Sequence, residues 1–270
     1  MAERGRPRAF DRDRALRRAM EVFWEHGYEG ASMGDLTAAM GINSPSLYAA
    51  FGCKEALFRE AVDLYSRCEG SHTERALREQ PTARASIEAM LRDNAVAYTA
   101  ADTPHGCMVV LAGSTYTTRN TAIRDFLIEK RRQTTENVRH RLERGITDGD
   151  LPAHTDTAAL ARFYTTVLYG LSIQARDGAT HPDLIASIDT ALSAWPVPAT
   201  SMPGSRVVDG RRNQGWTTNA GNKSGRRTPG SRGNEYRPTF GGGPRCVRRV
   251  GRPWRGPWGG RRIRGGVRRG

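Results

Sequence analysis

The side chains with the most chemical potential in this chain cluster between positions 43 and 54. Asn43-Ser44-Pro45-Ser46-Leu47-Tyr48 brings two hydroxyls and a phenol close together, and Lys54 follows six positions after Tyr48. No general base stands beside these hydroxyls in sequence. Short hydroxyls, an aromatic and an ammonium suit hydrogen bonding and charge pairing with phosphates and base edges instead. A second candidate is Cys107, which follows His105-Gly106 and opens the apolar run Met108-Val109-Val110-Leu111. That context places the thiol in the first turn of a buried helix, where the N-terminal dipole favours thiolate and reaction with oxidants or electrophiles. The alternative for Cys107 is a small buried apolar residue.

Other chemistry is poorly supplied. His105 lies near Cys107, but no third group stands out to orient a catalytic pair. The sequence contains no GxSxG elbow, Walker loop, HExxH or dinucleotide fingerprint, so no catalytic residue and no cofactor are expected. Cys53, Cys68, Cys107 and Cys246 form no CxxC pair. That spacing argues against a disulfide framework and against a metal site.

Helices must position these groups. Leu16, Ala19, Met20 and Phe23 share one helical face, which predicts a helix over 11–26 stopped by Gly27. Ser32 stands as N-cap of a short helix over 34–40, and Gly41-Ile42-Asn43 breaks it. Ser44-Pro45 reads as N-cap and first residue of a helix over 45–51, with Leu47 and Phe51 facing inward. A longer helix follows, with Leu57, Ala61 and Leu64 on its buried face. Beyond it, punctuation by Gly and Pro predicts helices over 82–101, 106–116, 120–148, 156–176 and 181–195. The stripes Leu160/Phe163/Val167/Leu168/Leu171 and Leu184/Ile188/Leu192/Trp195 are apolar enough to face a second subunit as well as the core. No alternating strand pattern competes, so the fold class is all-α.

Charge divides the chain. Residues 1–199 hold 24 Lys and Arg against 26 Asp and Glu, whereas 200–270 hold 18 against 2. The overall charge of +14 therefore belongs to the last quarter, which also carries 17 of the 30 glycines. With so few aliphatic residues, 196–270 reads as a disordered Arg/Gly-rich tail. Arg, Gly, Pro and Trp are also what G+C-rich codons yield in almost any frame, which leaves two origins open: a selected segment or out-of-frame translation. The chain has no apolar run of membrane-spanning length, and no apolar segment follows the first residues. The expectation is a cytoplasmic protein with no membrane partner.

The run from Gly41 to Leu57, GINSPSLYAAFGCKEAL, resembles the signature of the TetR/AcrR family of bacterial transcriptional regulators. The preceding basic arm, His26-Gly27-Tyr28, Ser32 and Leu36 resemble it too. The resemblance is specific over 8–65, architectural over 66–195 and absent from the tail. It implies three regions ahead of the tail (196–270): a basic arm (1–10), a helix-turn-helix DNA-binding domain (11–65) and a helical ligand-binding and dimerisation domain (66–195). By position, Ser44, Pro45, Ser46 and Tyr48 match the family's recognition-helix contacts, and Ser32 and Lys54 its phosphate contacts. Ala50 departs from the family pattern, where many members place a DNA-touching His. The arm Arg4-Gly5-Arg6-Pro7-Arg8 resembles an AT-hook core, which puts Arg4 and Arg6 in a narrow minor groove. The implied function is a ligand-responsive repressor, a homodimer on a palindromic double-stranded DNA operator with an unknown small-molecule effector. The alternative is a sequence-nonspecific nucleic-acid-binding protein acting through its tail.

Overall fold

A computed structural model describes residues 10–112 and 120–196. The arm with Arg4 and Arg6, and the tail beyond 196, lie outside the described residues. Every regular element among those described is a helix, as the all-α expectation requires.

Four helices form the N-terminal head: α1 (Arg12–Gly30), α2 (Met33–Met40), α3 (Ser44–Phe51) and α4 (Lys54–Arg67). Six follow: α5 (His72–Glu79), α6 (Ala83–Tyr98), α7 (Met108–Leu111), α8 (Thr121–Thr147), α9 (Thr157–Arg176) and α10 (His181–Ser193). Gly27 does leave helical geometry (φ 70°, ψ 178°), as its position predicts, but one further turn follows the break. The sequence pattern offers no counterpart of α5. The helix expected over 106–116 has its described part at Met108–Leu111, and residues 113–119 lie outside the described residues.

The head is built on aromatic packing. Phe58 meets Phe23 and Tyr28 edge-on, with centroids 5.0 and 5.1 Å apart, and Trp24 meets Tyr65 at 4.9 Å. Such edge-to-face pairs add about 0.5–1.5 kcal/mol each to the area they bury. The same cluster takes in Met108 of α7 and Ile123 and Leu127 of α8, all essentially inaccessible. A second core lies between α6, α8, α9 and α10, around Met90, Leu91, Val138, Tyr164 and Ile188. Cys107, just before α7, packs against both clusters.

The two apolar stripes near the C-terminal end are spent differently from a simple subunit interface. Leu168, Leu171, Leu184, Ile188, Leu192 and Trp195 are buried within the monomer. Phe163 (43% exposed) and Ile173 (49%) remain on the outer face of α9.

Candidate nucleic-acid interface

The turn between α2 and α3 follows from local chemistry. Gly41 ends α2 in the left-handed region (φ 68°), which its missing Cβ permits without strain. Asn43, and not Ser44, then caps α3: its Oδ1 accepts the Ser46 amide at 2.9 Å, and Pro45 sits within the first turn. The shift of one residue has a plain reason. Asn is as good a cap as Ser, and its choice releases the Ser44 hydroxyl toward solvent.

On α3 the inner face holds Leu47 and Phe51, both buried. The outer face presents Ser44, Pro45, Tyr48 and Ala49 as exposed residues and Ser46 as half-buried. Tyr48 is 50% exposed, so it is not a packed core aromatic. A short helix with hydroxyls, a phenol and small residues on its free side fits a major groove.

The groups flanking α3 are more committed than their types suggest. The Ser32 hydroxyl donates to Asp35 Oδ2 at 2.6 Å and accepts the Asp35 amide at 3.1 Å, completing a capping box. These Ser32 bonds hold the Asp35 carboxyl below its ordinary value. The hydroxyl proton is thus engaged, and a phosphate at this helix end would meet the first-turn amides of Met33 and Gly34, which have no intrahelical acceptor. Lys54 opens α4 with Nζ 4.5 Å above the Tyr28 ring. Burial lowers its pKa, with Glu29 acting in the opposite sense.

One positioning residue carries no signal in the sequence. Arg12 donates to both Glu60 carboxylate oxygens (2.8 and 2.9 Å) and to the Ala50 carbonyl (3.2 Å), and stacks 4.3 Å over Phe51. It ties α1 to the end of α3 and to α4. Ala50 contributes its carbonyl to this lock. Arg12 looks like any basic surface residue in sequence, and its partners lie 38 to 48 positions away.

Residues 15–61 match the family of bacterial regulatory proteins of the TetR type, and 83–181 match a tetracycline repressor-like C-terminal domain. The chain belongs to the TetR family. The transcriptional repressor ComR of Escherichia coli is 35% identical over 194 residues, covering 72% of this chain and 92% of ComR. The repressor BdcR of the same organism is 30% identical, covering 70% and 91%. Among solved structures, a cysteine variant of the TetR-family regulator CifR bound to 26-base-pair operator DNA is 50% identical. It overlays with a TM-score of 0.69, covering 71% of this chain and all of CifR.

The TetR head connects to the second core around Cys107. This residue is the N-cap of α7, whose single turn gives less of a helix dipole than the sequence pattern implied. Its amide donates to Ser172 Oγ of α9 at 2.8 Å. Burial first, and the neighbouring Cys107 after it, pushes the Tyr65 and Tyr98 phenols well above their ordinary value. Cys53 instead caps α4 on the surface, its Sγ accepting the Ala56 amide at 3.4 Å. Among the described residues, no group of three or more His, Cys, Asp or Glu could hold a metal ion. No helix there is long and apolar enough to cross a membrane.

Proposed function

We propose that this TetR-family protein is a transcriptional repressor that binds a two-fold symmetric duplex operator as a homodimer and lets go when an effector binds. The observation that carries this reading is the free face of α3, with Ser44, Pro45, Ser46 and Tyr48 held outward by the burial of Leu47 and Phe51. Lys54 and the N-terminal end of α2 at Ser32 flank it as phosphate-binding positions. Similarity to ComR and BdcR, both repressors, and to CifR, solved on its operator, supports the direction of regulation.

The division of labour follows the chain. Residues 11–65 read DNA, with Arg4 and Arg6 of the 1–10 arm in the adjacent minor groove. Residues 66–195 bind the effector and pair the subunits through the outer faces of α9 and α10. Phe163 and Ile173 support that pairing, and Gly170 between them leaves open space where its side chain would be. Cys107 is the proposed thiol sensor, because a modified sulfur there would have to be accommodated by both cores at once. The protein acts in the cytoplasm and is no enzyme. The tail of 196–270 adds charge without reading bases. Footprinting on duplexes recovered from a random pool tests the whole reading: a protected palindrome supports it, and uniform coating of the DNA supports binding through the tail instead.

A further inference from the structure

Two hydrogen-bonded routes leave α9 one turn apart and end on adjacent residues of α1. The first is direct. Arg176, in the last turn of α9, places Nη1 3.2 Å from Glu25 Oε2, while its Nη2 donates to the Glu25 backbone carbonyl. The second passes through the segment before α7. Ser172 Oγ accepts the Cys107 amide at 2.8 Å, and the Gly106 carbonyl accepts Trp24 Nε1 at 3.1 Å. There is no slack at this second link, because a Cβ on Gly106 would lie 2.5 Å from the Ser172 carbonyl oxygen. Glu25 itself sits in the last regular turn of α1, two residues before the break at Gly27.

We propose that Arg176 is a positioning residue for operator recognition: by clamping α9 to α1 it fixes the separation of the two recognition helices, and so the half-site spacing the protein accepts. The inference rests on the reading that α9 and α10 pair the subunits. The head's aromatic core extends into α7 and α8 but takes in no residue of α9 among its described members. Other ion pairs and hydrogen bonds, Lys130 with Asp63, Arg59 with the Ala122 carbonyl and Asn120 with Glu29, tie the head to α8 or its N-terminal end. Arg176 grips one carboxylate and one backbone carbonyl of the same residue, which resists both sliding and rotation of α1. Half-sites one DNA turn apart demand a recognition-helix separation of about 34–36 Å, so a small rotation of either head is felt at the far end of α3. The pair is 28% and 30% exposed, so its loss should register in geometry far more than in folding.

The test uses duplexes carrying the selected operator with its central spacer unchanged, or lengthened or shortened by one or two base pairs. Wild type, Arg176→Ala, Arg176→Lys and Glu25→Gln are titrated against each, and against a duplex with one half-site. Wild type should discriminate against altered spacing by about tenfold or more, the scale of a mismatched base pair. Arg176→Ala should bind all spacings within about threefold, while remaining dimeric by sedimentation and keeping its single half-site affinity. Arg176→Lys should recover much of the discrimination, and Glu25→Gln, which keeps the carbonyl acceptor, should fall between. A folded, dimeric Arg176→Ala with the wild-type spacing preference overturns the proposal. Should that variant fail to fold, Glu25→Gln carries the same comparison, and an unchanged preference there overturns it equally. Wild type that sediments as a monomer overturns the dimer reading, and the proposal with it.

Discussion

Tyr48 and Lys54 are both assigned to the candidate surface, yet they differ in what else they hold. Tyr48 has half its surface in solvent, whereas the Lys54 ammonium rests on the Tyr28 ring. Both alanine variants should weaken operator binding. Tyr48→Ala should leave stability within about 0.5 kcal/mol of wild type, and Lys54→Ala should lose about 0.5–1 kcal/mol with its cation–π interaction. If Lys54 meets a phosphate, removing it from both subunits should lower the log–log salt slope by about 1.8. Titration at several salt concentrations, with thermal melts alongside, checks both claims. Ser32→Ala is less informative, since removing its cap costs about 1 kcal/mol of helix stability by itself. Cys107 makes a separate prediction. Treating the operator complex with hydrogen peroxide should release DNA from wild type but not from Cys107→Ser, whose operator affinity without peroxide should stay close to wild type. Equal release from both would remove Cys107 as the sensor.

The helices carry predictions of their own. In α5, His72 Nδ1 lies 3.0 Å from Arg75 Nη2, which approaches Asp93 at 3.4 Å. With Nδ1 accepting from Arg75, protonation would break that bond and set a cation beside the guanidinium. Burial first, then Arg75, lowers the His72 pKa, against the opposite pull of Asp93. Because the unfolded chain then takes up the proton more readily, this group's contribution to stability is greatest above about pH 6.5. It declines as pH falls below that value and levels off once the folded-state pKa has been passed. Melting temperatures from pH 5 to 8 should therefore fall less steeply on the acid side for His72→Gln than for wild type. On α9 the two outward residues make the subunit pairing testable. Ile173→Glu should yield folded monomers in sedimentation that no longer protect a full operator. Ile188→Glu should unfold the chain instead, because Ile188 is wholly enclosed within the monomer.

For the molecule as a whole, charge is partitioned along the chain. The last 71 residues carry 18 basic residues against 2 acidic ones, while the preceding 199 are nearly balanced. Among the described residues, the apolar clusters run as far as Trp195. Removing 197–270 should thus preserve helical content, dimerisation and preference for operator. Affinity for scrambled DNA should fall, and its salt slope should drop by about 0.9 for each phosphate no longer neutralised. Loss of operator preference on truncation would mean that the tail takes part in recognition.

The sequence by itself determined the helical class, the head and the face of α3 that is turned outward. Those depend on signals that act within one or two turns: the period of Leu16, Ala19, Met20 and Phe23, the Ser32 cap and the glycine that α2 needs at position 41. Even there, the choice of Asn43 over Ser44 as cap needed the structure, because both residue types serve equally well. Helix α5 was illegible for a related reason: only Ala76 and Leu77 of its eight residues are buried, too few to set a period. The tertiary structure alone decided which parts of the apolar stripes close the monomer and which stay free. It alone also joined Arg12 to Glu60, Trp24 to Gly106 and Arg176 to Glu25, across 48, 82 and 151 positions. A guanidinium or an indole N–H carries no mark of its partner in the local pattern, and the pairing is set only when helices distant in sequence pack together.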